Sequence, residues 1–338
     1  MNLTDKRVLV TGASGFIGGR VAERLAQEEG ARVRVLVRGE GGVTPPLQVC
    51  RGDMTDADAV RRAVGGCDVV IHCAAKQFPP GMRAQFIAEN VGGFENLARA
   101  ALECGVARFV HLSTINVHGY PPPPGCHADS PLRESGDFYS DSKIAAERVA
   151  WRYYRERRLP LVVVRPACTF GPLSGAWTLT PLRRVRAGKR VLMDDGSALC
   201  NPVYIDNLVD LILLATKSDA AIGQAFIGSD GVGISWREFY GAYARMLGIP
   251  RLNSLPLFAA RAIAFASEAA ARLNGKRPFV ARQSVEFYSH HVVYDISKAR
   301  KLLGHVPRVS FEEGMRRTER WLVDSGKFPE IPSLKSEI

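Results

Sequence analysis

Thr11-Gly12-Ala13-Ser14-Gly15-Phe16-Ile17-Gly18 decides how this chain is read. The stretch follows an apolar run, Val8-Leu9-Val10, and opens an amphipathic segment from Phe16 to Glu29. Strand, glycine turn and helix therefore follow in that order. Each of Gly12, Gly15 and Gly18 has a physical task in such a unit. One makes the tight turn, one lets backbone approach a pyrophosphate, and one lets helix and strand pack closely. The helix N-terminus adds free N–H groups and a positive dipole end that suit phosphates. The spacing, G-x-x-G-x-x-G in place of G-x-G-x-x-G, points to one branch of the dinucleotide binders.

A second motif lies downstream. Tyr139-Ser140-Asp141-Ser142-Lys143 places a phenol and an ammonium one turn apart on one face of a helix predicted over 138–157. An ammonium beside a phenol favours the phenolate, so the pattern predicts a lowered pKa for Tyr139. The same ammonium suits the hydroxyls of a cofactor ribose. Y-x-x-x-K alone arises often by chance; behind the glycine turn at this distance it is specific.

With both motifs in view, the chain resembles the extended short-chain dehydrogenase/reductase family from about residue 5 to about 322, nearest its 3β-hydroxysteroid dehydrogenase-like branch. Further matching marks are Gly52-Asp53-Met54, His72-Cys73-Ala74-Ala75, Asn90-Val91-x-Gly93 and Leu112-Ser113-Thr114. Val164-Arg165-Pro166, Phe170-Gly171-Pro172 and Val203-Tyr204-Ile205-Asp206-Asn207 complete the series in family order. The resemblance implies an α/β, Rossmann-type doubly wound parallel sheet with a smaller, discontinuous C-terminal substrate lobe. The dinucleotide-binding part is expected over 1–172, with 201–216 and 290–297. The substrate lobe is expected over 173–200, 224–282 and 305–325, and a tail over 326–338.

The resemblance also implies hydride transfer. Tyr139 is the expected acid/base, Lys143 its pKa-lowering neighbour and ribose ligand, and Thr114 the group that orients the substrate oxygen. Thr114 is chosen by counting back four from His118, where the family usually has a tyrosine; neighbours on a strand face opposite ways, so Ser113 is set aside. Asn90 is expected to support a water or backbone link to Lys143. The expected cofactor contacts are Thr11, Gly12, Ser14, Gly15, Phe16, Ile17, Gly18, Arg38, Asp53, Met54, Cys73, Ala74, Ala75, Tyr139, Lys143 and Pro166. NAD-specific relatives usually carry an acid at the end of the second strand. Val37 stands there and Arg38 follows. A 2′-phosphate is not repelled and Arg38 offers it a bidentate partner, which favours NADP. Stacking of Arg38 on adenine, compatible with NAD as well, stays open.

Cys168 stands where nucleotide-sugar enzymes of the family often have asparagine, and Cys200-Asn201 where they often have Arg-Asp. Thiols make no charged contact to a diphosphate. The expectation is thus an NADP(H)-dependent ketone/alcohol oxidoreductase acting on a hydrophobic small molecule, steroid-like or a natural-product intermediate. The alternatives are a nucleotide-sugar epimerase/dehydratase and a non-catalytic NAD(P)-binding regulator. The intact Tyr139, Lys143 and Thr114 set speaks against the regulator.

Composition sets the remaining bounds. The chain has 338 residues, 46% hydrophobic and 23% charged, an ordinary globular mix. No apolar run reaches the ~20 residues of a transmembrane helix. The first strand begins at once, leaving no room for a signal peptide. Seven cysteines without a C-x-x-C pair fit reduced thiols, so a cytoplasmic protein is expected. The adjacent His290 and His291 lack a third ligand nearby, so no metal is expected. The net charge of +11 is spread out and accompanies no nucleic-acid motif, so nucleic acid is not an expected partner.

Alternating apolar and amphipathic segments predict strands near 7–11, 32–37, 47–50, 68–73, 107–113 and 160–165. They predict helices near 16–29, 56–64, 83–104 and 138–157. That alternation implies a parallel sheet covered on both faces, with ligands at the carboxyl ends of its strands. Two stretches keep alternatives open. Tyr120-Pro121-Pro122-Pro123-Pro124-Gly125 is a stiff loop, either bordering the substrate mouth or spanning a surface gap. Leu255–Leu273 reads as a buried helix, a lid over an apolar pocket, or a helix resting on a membrane surface. A homodimer through the helices near 83–104 and 138–157 is compatible with their patterning.

Overall fold

The computed structural model describes residues 1–39, 47–77, 82–274 and 278–327, so most of the expected tail lies outside the described residues. Its strands are β1 (Arg7–Thr11), β2 (Arg32–Val37), β3 (Gln48–Arg51), β4 (Val69–His72), β5 (Arg108–Leu112), β6 (Leu161–Pro166), β7 (Cys168–Phe170), β8 (Arg190–Met193), β9 (Leu199–Cys200), β10 (Pro202–Tyr204), β11 (Gln224–Gly228), β12 (Ile234–Ser235) and β13 (Asn253–Leu255). Seven form one sheet in the order β11-β6-β5-β4-β1-β2-β3, every pairing parallel. Strand order reverses between β1 and β4, the switch point where such sheets open a crevice. The central strands are mostly apolar because helices cover both faces: Val69–His72 and Leu161–Pro166 are buried at every position, His72 and Arg165 included.

The helices are α1 (Phe16–Gln27), α2 (Ala57–Val64), α3 (Arg83–Ile87), α4 (Gly93–Glu103), α5 (Phe138–Arg157), α6 (Thr180–Arg186), α7 (Ile205–Lys217), α8 (Trp236–Met246), α9 (Leu257–Asn274), α10 (Arg282–Phe287), α11 (Ser297–Leu303) and α12 (Phe311–Asp324). In α1, Gly18, Val21, Ala22 and Leu25 form the buried stripe that a 3.6-residue period demands. α1 is tied to α7 by Arg20–Asp206 at 2.7 Å and Arg24–Asp210 at 2.9 Å. α5 starts where the Asp137 carboxylate accepts from the Ser140 amide and stops at Arg158, which adopts a left-handed conformation.

Two expectations are corrected. Gln224–Gly228, assigned to the substrate lobe, is the edge strand of the main sheet and pairs with β6. The predicted helix over 83–104 is interrupted by a π turn at Ala88–Gly92. The segment 292–295 is braced by Asn201, which donates to the Val292 carbonyl and accepts from the Tyr294 amide. The 305–325 segment bridges both parts. Phe311 packs on Phe170 and Phe239, and Gly314 approaches Tyr204 so closely that a Cβ would lie 2.7 Å from its ring. Among the described residues no helix is long and apolar enough to cross a membrane.

Candidate active site

The glycine turn has the geometry its sequence calls for. Gly12 has φ of 72°, and a Cβ there would sit 2.7 Å from the Ala74 amide nitrogen. A Cβ on Gly18 would lie 2.4 Å from the Gly12 carbonyl oxygen, so only glycine lets α1 seat on the turn. Ser14 and Gly15 are exposed at the mouth of α1, while Phe16 and Ile17 are half-buried. No side chain caps that helix end and no acid lies in its first turn. Its amides and dipole therefore remain for an anion. Thr11 is fully buried, and its hydroxyl lies 2.7 Å from His72 Nδ1 and accepts from the Ala74 amide. Thr11 thus braces the turn against the Cys73-Ala74-Ala75 segment from inside.

Val37 is buried and Arg38 exposed at the end of β2. The Arg38 guanidinium lies 3.4 Å from Glu89 and 3.8 Å from Asp53. Asp53 is itself held below the usual carboxylate range, chiefly by hydrogen bonds from the Thr55 amide and hydroxyl. Met54 is half-buried beside it, and Pro166 ends β6, paired with Gly228.

The second cluster forms beyond β5. Thr114 is buried, extended, and caps the short 3₁₀ turn Ile115–His118 by accepting from the Asn116 amide. Its hydroxyl lies near enough to the Tyr139 phenol, on the first turn of α5, to pull that group's pKa down. Burial pushes the Tyr139 phenol up to about 12; the Thr114 hydrogen bond pulls it back and the Asp137 carboxylate adds to the rise. The expected lowering by Lys143 is absent. Lys143 is buried and its Nζ donates to the Leu112 carbonyl at 2.5 Å. Burial brings Lys143 down to about 8, opposed by the charge of Glu147.

Asn90 bonds elsewhere than Lys143. It accepts from the Lys76 amide at 2.6 Å, donates to the Lys76 carbonyl, and donates to Ser142 Oγ at 2.8 Å. Ser142 in turn donates to the Tyr139 carbonyl. Asn90 therefore pins the loop after β4 to the first turn of α5, and the π turn that carries it makes that reach.

Sequence reasoning missed the charged row beneath. Glu147, fully buried, forms a salt bridge with Arg165 and accepts from Trp151. Arg165 also donates to His118 Nε2 at 3.2 Å, and His118 Nδ1 faces the Pro131 carbonyl. Burial first, then the Arg165 charge, lowers His118 to about 4. The ring is neutral, with its proton on Nδ1. The signal was present: Glu147 stands one turn past Lys143, as Lys143 stands one turn past Tyr139.

Beside this row, Tyr120 donates to Asn116 and its ring meets Phe287 edge-on at 4.9 Å and His290 at 5.8 Å. The proline loop thus begins inside an aromatic cluster. The thiols of Cys168 and Cys200 are buried nearby, and Cys200 is pushed up by burial first and then by Cys168.

A nucleotide cradle at the switch point and a Tyr–Lys pair at its edge define the extended short-chain dehydrogenase/reductase class of NAD(P)-dependent oxidoreductases. The chain belongs to the NAD-dependent epimerase/dehydratase family, whose model matches residues 8–227. It is 32% identical to a 2-alkyl-3-oxoalkanoate reductase of Stenotrophomonas maltophilia (strain K279a), over 92% of this chain and 98% of that protein. It is 27% identical to a UDP-glucose 4-epimerase of Vibrio cholerae, over 93% of this chain and 94% of that protein. Among solved structures, the crystal structure of gox2253 superposes with a TM-score of 0.81 at 26% identity, covering 96% and 99% of the two chains.

Proposed function

We propose that this protein is an NADP(H)-dependent reductase that interconverts a ketone and a secondary alcohol on a hydrophobic small molecule. The observation that carries the reading is Tyr139 and the buried Lys143 one turn apart on α5, with the buried Thr114 beside the phenol. A bound nicotinamide supplies or accepts the hydride. Tyr139, protonated through the neutral range, gives its proton to the substrate oxygen, while Thr114 orients that oxygen. Lys143 holds the ribose, and Arg38 meets the 2′-phosphate in competition with Asp53 and Glu89. The aromatic cluster around Tyr120 and the thiols of Cys168 and Cys200 support an apolar substrate, as does similarity to a reductase of alkyl-bearing oxo acids.

The similarity to a UDP-glucose 4-epimerase favours a second reading, a nucleotide-sugar epimerase. Cys168, Cys200 and the bracing role of Asn201 weigh against it.

Titration with NADPH and NADH, alongside Arg38→Ala, tests the cofactor. NADPH is expected to bind more tightly, and the variant to lose about tenfold for NADPH with little change for NADH, the scale of one charge-assisted hydrogen bond. Equal binding would make Arg38 an adenine-stacking residue. Turnover of medium-chain 3-oxo acids and apolar ketones tests the reaction. Tyr139→Phe is expected to remove about a hundredfold or more of turnover while NADPH binding stays within a few-fold. Near-normal turnover in that variant sinks the acid/base role. Tight uridine-nucleotide binding would move the assignment to the epimerase.

A further inference from the structure

α9 is built inside out. Its inward face is small: Ala260, Ala264 and Ala271 are buried, and the first two join Val285 in a minor cluster separate from the main core. At 100° per residue, Phe258, Ala262, Phe265, Ala269 and Leu273 fall on the opposite face. All five are exposed, Phe258 at 78%, Phe265 at 67% and Leu273 at 91%. Phe279, just past the helix, is 93% exposed. A stripe of large apolar groups facing out, over a face of alanines, is the reverse of what core packing selects.

The charges around the stripe are mainly basic. Arg261 and Arg282 on its flank neutralise Glu286 and Glu268, at 3.0 and 2.7 Å, so the nearby acids are already paired. Arg272 lies on the stripe's edge and is exposed. Phe279 shares a surface recess with Arg184, Lys189 and Arg190. On a chain of net charge +11, docking a second copy through this face brings like charges together. An anionic lipid surface satisfies both features, taking the phenyl rings among its acyl chains and the guanidinium groups at its phosphates.

We infer that α9 is a peripheral docking helix that seats its Phe258–Leu273 face on an anionic lipid surface. The test is co-sedimentation of the full chain with vesicles of phosphatidylcholine mixed with phosphatidylglycerol, and with vesicles of phosphatidylcholine alone. The expected result is binding to the mixed vesicles that weakens with added salt, and little to the neutral ones. Phe258→Ser with Phe265→Ser should lower that binding about tenfold or more while circular dichroism and NADPH affinity stay unchanged, because both rings are exposed. Equal binding by the variant, or no binding by the parent chain, overturns the proposal. So does a dimer in lipid-free sedimentation that the double variant dissociates, which would make a second copy the occupant. Vesicle binding is read without substrate, so its failure is distinct from failure of the reductase reading.

Discussion

At the residue scale, the proposed reductase chemistry draws on the protonation states of Tyr139 and Lys143. A phenol at about 12 is a proton donor across the neutral range, the form that ketone reduction consumes. Lys143, at about 8, loses its charge just above neutrality. Reduction that relies on the ammonium is expected to fall as pH rises through about 8, read from kcat/KM for a ketone substrate. A flat profile to well above that value would mean that Lys143 does not act as a cation. Stability runs the other way. The folded chain binds fewer protons at Lys143 than the unfolded chain between about 8 and the ordinary lysine value of 10.5, so this residue's contribution to stability rises with pH through that window.

At the element scale, α5 carries Tyr139, Lys143 and Glu147 on successive turns, one row that joins chemistry to scaffold. Glu147 faces Arg165 with both side chains out of water. A buried pair adds little over an apolar pair, but removing one partner strands the other, at a cost of about 3–5 kcal/mol. Glu147→Gln is expected to lower the denaturant midpoint accordingly. The same change removes the charge that keeps Lys143 protonated, so its alkaline limb should move to lower pH. A purely structural Glu147 would lower the midpoint and leave the limb in place. Asn90 sits in the π turn of the neighbouring helix, and from there its amide spans Lys76 and Ser142 together.

At the scale of the whole molecule, much of the site was legible because it is local. Gly12, Gly15 and Gly18 are a backbone requirement written in one turn, and Tyr139, Thr114 and Lys143 are placed by helix period and strand alternation. The strand pattern from Val8 to Pro166 was readable because central parallel strands are mostly apolar runs, here broken only by buried groups such as His72, His111 and Arg165. The Gln224–Gly228 strand was not. It closes the sheet from the far side of an insertion, and five residues of apolar period say nothing about which edge they join. The sequence by itself therefore determined the fold class, the glycine turn and the one-turn spacing of Tyr139 and Lys143. Only the tertiary structure decided what surrounds them: that Lys143 turns to Leu112, that Asn90 holds Ser142, that Glu147 meets Arg165, and that α9 faces its phenylalanines outward. Burial and hydrogen-bond partners are set by residues distant in the chain, and no local pattern encodes which of them arrive.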